Sequence, residues 1–150
     1  MTGMKKLEGM PVICNGKKTG SVMRAVLNRD GRTVRGMMIR SGIMGPKWLV
    51  REQIALLGKV SVIAKGKMRK PPNDADYHLF RVSDPDGERI GVVTDALINE
   101  ETLRVAALEI SAGPLDDLTD GRWYATSFSV LPGETCGHVT VFCDGKGVKS

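Results

Sequence analysis

Chemistry-bearing residues are scarce in this chain. Seven aromatics, two histidines and three cysteines are spread over 150 positions. Cys14, Cys136 and Cys143 are odd in number and form no close pair, which argues against a disulfide framework and fits a reducing, cytoplasmic setting. Neither His78 nor His138 completes a metal-ligand spacing with them, so no metal and no cofactor is expected. No apolar run approaches the ~18 residues that cross a bilayer. The opening "MTGMKKLEGM" has two lysines with no apolar stretch behind them, so no secretory leader is expected.

Catalytic sets are equally thin. A nucleophile needs a base in reach and a third group to orient that base. The closest string is "CGH" at 136–138. Cys136 and His138 share one face of a strand, and a simple edge position without catalysis is expected. Asp116, Asp117 and Asp120 cluster without the alternating-oxygen loop and closing Glu of a calcium hand. They read as a solvated loop, and Glu100 and Glu101 as an exposed turn. The chain is expected not to be an enzyme.

Glycine, by contrast, is abundant at 18, among short Val/Ile-rich runs. That combination favours strands joined by tight turns. Eight methionines suit the irregular gaps of a core. The net charge of +5 conceals a split: residues 1–70 hold 16 Lys/Arg and 3 Asp/Glu, a net of +13, and residues 71–150 hold 6 and 14, a net of −8. Such asymmetry bears on partners.

The first half reads as a strand at 11–14, an Asn15-Gly16 hairpin turn, a strand "SVMRAVL", an Asp30-Gly31 turn and a strand at 33–40. Gly42 and Gly45-Pro46 break the chain. A short strand at 47–50, a helical turn at 51–58 and a strand at 59–64 follow. Residues 65–76, "KGKMRKPPNDAD", have a linker's composition.

The second half repeats that order. "GKKTGSVMRAVL" (16–27) matches "GERIGVVTDALI" (87–98) at an offset of 71. "LRVAALEIS" matches "VRGMMIRS", Trp123 stands where Trp48 stood, and "GHVTVFCD" matches "GKVSVIAK". The offset drifts from 71 to 75 and then 79, as loops absorb insertions. This is a tandem duplication of an all-β unit. Gly16 and Gly87 fall at turns that require positive φ or close approach. Gly20 and Gly91 enter strands, where glycine marks a bulge or a bent corner. The repeated phrase is scaffold.

Both halves resemble the PRC-barrel domain. The residues that carry the resemblance are "LEGMPVICNGKKTGSVMRAVLNRDGRTVRGMMI" and "VSDPDGERIGVVTDALINEETLRVAALEI", with the "G-x-V-x-V" strand that closes each half. The resemblance implies a small antiparallel β-barrel that recruits proteins and has no catalytic residues. Relatives include the C-terminal domain of a bacterial ribosome maturation factor. The stretch 112–136 departs from the family pattern and is a candidate binding surface.

The expectation is therefore an all-β chain of two tandem antiparallel barrels: a basic unit at 1–64, a linker at 65–76 and an acidic unit at 77–150. Its expected function is that of a non-catalytic adaptor binding an unidentified protein partner, a second copy of the chain included. Opposite charge in the halves would set orientation and association rate. The alternative is an RNA- or ribosome-associated factor. Lys65, Lys67, Arg69 and Lys70 are the candidate anion- or partner-binding residues, because a basic face takes phosphates by counterion release. The aromatic platform of single-strand binders is missing, Trp48 standing alone in the first half. Three uses of the basic half stay open: docking on acidic residues within the chain or a dimer, docking an acidic protein, or binding a nucleic acid or an anionic membrane surface. A small-ligand barrel is disfavoured, because barrels this small fill with their own side chains.

Overall fold

The two halves weave their strands in one order. The structure, a computed structural model, describes residues 1–113 and 122–142. In the first half β2 (Pro11–Cys14), β3 (Lys17–Leu27), β4 (Val34–Arg40), β5 (Pro46–Val50), β6 (Ile54–Leu57) and β7 (Val62–Ala64) form a sheet ordered β5-β4-β3-β2-β7-β6. In the second half β8 (His78–Ser83), β9 (Arg89–Ile98), β10 (Val105–Ser111), β11 (Trp123–Ala125), β12 (Phe128–Pro132) and β13 (Cys136–Val141) are ordered β11-β10-β9-β8-β13-β12. Each label is the first-half label raised by six. The chain is all-β, with no α-helix among the described residues.

Local chemistry accounts for the hairpins. Asn15 and Gly16 have φ of 54° and 75°. Positive φ at both central residues gives the mirror-image turn whose twist matches the flanking strands. The β8–β9 turn instead uses Asp84, whose carboxylate accepts from the backbone N–H of Asp86 and of Glu88, each at 2.9 Å. Gly87 follows at φ 86°.

Three features depart from the sequence reading. First, the sheets are not wholly antiparallel, since β2 pairs with β7, and β8 with β13, in parallel. After β5 the chain passes through a 3₁₀ turn, Arg51–Gln53, to β6 at the opposite edge without reversing. The strand that then doubles back runs in the direction of β2. Second, residues 54–57 are strand β6 rather than a continued helical turn, because pairing with β7 outweighs local propensity. Third, β1 (Thr2–Gly3) leaves its own half and pairs with β9.

The core is shared. One cluster of buried residues runs from Leu7 and Val12 through Ile39 and Leu49 to Leu108, Ile110 and Val139, drawing on both sheets. Each such side chain contributes roughly 1.5–3 kcal/mol on burial. The sheets also join by backbone: Val34 N–H donates to the Leu103 carbonyl at 2.9 Å, and Val105 N–H to the Arg32 carbonyl at 2.8 Å. The segment read as a linker lies against the fold. Arg69 and Trp48 exchange both backbone hydrogen bonds, at 2.7 and 2.8 Å. Met68 packs on the core, and Ala75 and Tyr77 are buried.

Candidate functional site

The paired glycines occupy equivalent places for one steric reason. A Cβ on Gly20 would lie 2.4 Å from the Arg40 carbonyl oxygen, and one on Gly91 would lie 2.4 Å from that of Ser111. Both pairings shift register beside the glycine. Gly20 lacks the positive φ expected at a bulge; close approach of the next strand is what excludes a side chain. Gly16 and Gly87 have positive φ and open space around them. All four glycines shape backbone.

Two sets of basic residues in the first half matter here. Arg24, Arg29, Arg32 and Arg35 are engaged by groups of the same chain. Arg24 pairs with Asp76 at 2.6 Å, and Asp74 pairs with Arg29 at 3.2 Å and with Arg35 at 3.0 Å. Hydrogen bonding from Arg35, helped by Arg29 and opposed by desolvation, holds the Asp74 carboxyl below the usual carboxylate range. Arg29 also stacks on Tyr77 and donates to the Gly133 carbonyl at 2.8 Å. Arg32 stacks on Phe128 and donates to its carbonyl. Part of the charge split is thus consumed inside the chain.

The second set stays outside. Lys65, Lys67, Arg69 and Lys70 are all exposed. Gln53 holds their backbone, donating to the carbonyls of Lys65 and Lys67 at 3.2 and 2.8 Å. Arg69 and Lys70 line an open cleft of about 400 Å³ beside Trp48, together with Arg35 and Arg51. Arg35 is engaged by Asp74, and Glu52 also lines the cleft. Strands β6 and β7 separate Arg51 from Arg69 in sequence, and the Arg69–Trp48 bridge brings the two ends together.

The strand edges differ between the halves. β12 is an outer strand of the second sheet; Arg32 donates to the carbonyl of its first residue, Phe128, and Arg29 to that of Gly133, just past its last. β6 is its counterpart in the first sheet. Apart from its pairing with β7, β6 is reached at its first residue alone among the described residues, where the Ile54 N–H donates to the Arg51 carbonyl. Its residues, Ile54–Leu57, carry no charge, and Leu56 is 59% and nearby Val60 79% exposed. The 51–58 stretch gives no alternation that would have exposed this edge to sequence reading.

Among the described residues the remaining candidates share no hydrogen bond with one another. Cys14 and Cys136 are half-buried free thiols. His138 is exposed, and its Nε2 lies 2.8 Å from Ser83 Oγ. Nothing in the sequence signals this Ser–His contact, since 55 positions separate the two. Ser83 is buried, and no carboxylate among the described residues hydrogen-bonds the other ring nitrogen. His78 is exposed, with Nδ1 3.0 Å from the Asp76 carbonyl. No group of three or more potential metal ligands occurs among the described residues. Asp116, Asp117, Asp120 and Cys143 lie outside the described residues, as do residues 114–121 of the 112–136 stretch. The remainder of that stretch holds strands β11 and β12, in the places of β5 and β6. Among the described residues no helix is long and apolar enough to cross a membrane. No protein-family model matches the chain, and no curated protein matches it significantly.

Proposed function

We propose that the chain is a non-catalytic recruiting module: a cytoplasmic adaptor of two PRC-type barrels that takes an extended segment of a protein partner along β6. The duplicated strand order and the curled, half-barrel sheet support the family reading. The observation that carries the function is the open β6 edge, uncharged and flanked by exposed Leu56 and Val60, where the equivalent β12 is capped. Edge strands are normally blunted by charge, proline or cover. An open one accepts a partner strand through main-chain hydrogen bonds, with alternate side chains setting specificity. Arg51 and Lys59 flank the edge and favour an acidic partner segment.

The test compares wild type with Leu56→Lys/Val60→Lys in tagged pull-downs, at low salt and at roughly 0.5 M salt, with and without nuclease. The expected result is one stoichiometric protein that survives nuclease and is absent from the variant. Identical bands from both proteins would refute the β6 reading.

The cleft beside Trp48 favours a second reading, RNA or ribosome association. There, replacing Lys65, Lys67, Arg69 and Lys70 by Glu lowers affinity and flattens its salt dependence. Capture that vanishes with nuclease selects this reading instead.

A further inference from the structure

One end of the first sheet gathers three chain segments. The β2–β3 turn carries Lys17 and Lys18, the β4–β5 loop runs from Arg40 to Lys47, and β7 leads out into Lys65. Strand pairing brings them together: Cys14 is opposite both Lys17 and Ala64, and Ser21 is opposite Arg40. Ser41 Oγ donates to the Thr19 carbonyl at 3.1 Å, which lays the β4–β5 loop along the start of β3. At the tip of that loop Ile43 is 101% and Met44 76% exposed. They stand between Gly42 and Gly45, at φ 60° and 81°.

The result is a convex apolar knob with a collar of cations. Lys17, Lys18, Arg40, Lys47 and Lys65 form no ion pair among the described residues. Neither residues 9–29 nor 31–51 contain an Asp or Glu, so nothing acidic in the hairpins offsets them.

We propose that this end is a peripheral membrane contact. It rests on an anionic lipid surface, with Ile43 and Met44 entering the boundary between headgroups and acyl chains and the five cations facing acidic headgroups. A protein surface must be shaped to receive a knob, whereas a fluid bilayer deforms around one. A nucleic acid would satisfy the collar but offers no apolar layer to two aliphatic side chains. Apolar insertion and electrostatic attraction to anionic lipid are each weak alone and add when they share one face. This surface goes beyond the recruiting role, and Leu56 and Val60 are not part of it.

The experiment is co-sedimentation of the full chain with vesicles of phosphatidylcholine alone and with equal parts of phosphatidylcholine and phosphatidylserine. At low salt the mixed vesicles should bind about tenfold more strongly than the neutral ones. Ile43→Asp/Met44→Asp should lose about tenfold in binding to the mixed vesicles. Its thermal melting should match wild type, because both side chains are solvated in the fold. Lys17→Glu/Lys18→Glu should weaken binding and flatten its salt dependence. Equal binding of wild type and the tip variant to the mixed vesicles would overturn the proposal. So would failure of wild type to bind them, or a single-stranded RNA polymer that binds wild type and tip variant alike while the vesicles bind neither.

Discussion

Thr33 and Arg104 face each other as a single antiparallel bridge at the joint between the sheets. They are equivalent positions, 71 residues apart, of the two repeats. The flanking bonds obey the same symmetry. Val34 donates to Leu103, and Val105 donates to Arg32, each pair exchanging when the repeats are exchanged. A contact that maps onto itself is the isologous interface of a two-fold dimer, here contained in one chain. The β3–β4 and β9–β10 turns are therefore also the seam.

The seam holds a strained residue. Leu103 is 6% exposed and has φ 59°, a left-handed backbone that costs an L-residue roughly 1–2 kcal/mol. Leu103→Ala keeps the strain and opens a cavity, costing about 2–4 kcal/mol. Leu103→Gly opens a similar cavity but relieves the strain. Chemical denaturation should therefore find the glycine variant more stable than the alanine variant, by about 1 kcal/mol. The reverse order would refute strain at this position.

Gly20→Val and Gly91→Val should each destabilise the fold by about 1–3 kcal/mol, since the new Cβ would meet a backbone carbonyl and not a movable side chain. Gly16→Ala has open space and suffers only from its φ of 75°, so it should cost about 1 kcal/mol or less. Unchanged unfolding midpoints in both valine variants would count against the close-approach argument.

Acidification should act through Glu109. Burial works against its ionisation, but hydrogen bonds from Thr94, Arg122 and Tyr124 more than offset this and hold its carboxyl below the usual range. The distances are 2.8, 2.9 and 3.0 Å. A folded value below the unfolded one means stabilisation that is complete above the ordinary Glu range and lost as pH falls through the lowered folded value. Glu109→Gln should cost about 1–3 kcal/mol at neutral pH. Urea titrations at several pH values should show that gap closing on acidification. A gap independent of pH would show that the carboxylate charge is irrelevant.

Asp74→Ala should lower the melting temperature by removing the shared partner of Arg29 and Arg35. Both sides of these pairs are substantially solvated, so the effect should be small and should shrink in ~1 M salt as screening weakens the wild-type pairs. A difference that persists undiminished in high salt would point to packing by Arg29 on Tyr77 or Arg35 on Trp48.

Much of the architecture was legible because it rests on local signals. Asn15-Gly16 and Pro85-Asp86-Gly87 announce hairpins, and the Gly16/Gly20 and Gly87/Gly91 spacing exposes the repeat. β6 and β12 were not legible as a pair: "IALL" and "FSVLP" share no pattern, and only their places beside β7 and β13 make them equivalent. The 65–76 strap has a linker's composition, yet a backbone bridge to Trp48, the packing of Met68 on the core and the burial of Ala75 tie it down. Within the basic 65–70 run, Arg69 and Lys70 line the cleft beside Trp48 with Arg35 and Arg51, neighbours that the run itself does not reveal.

Turn positions, strand character, the duplication and the charge split are written in neighbouring residues, because φ preferences, side-chain alternation and charge act over a few positions. Long-range pairing alone settled four things: the parallel β2–β7 and β8–β13 contacts, the transfer of β1 to the other sheet, the shared core, and which cations stay free. Each depends on groups dozens of positions apart competing for the same edge or partner. Arg32 and Leu103 show it best. They are equivalent in the repeat, yet one stacks on Phe128 at the surface and the other is buried with a left-handed backbone, because each meets a different neighbour across the seam.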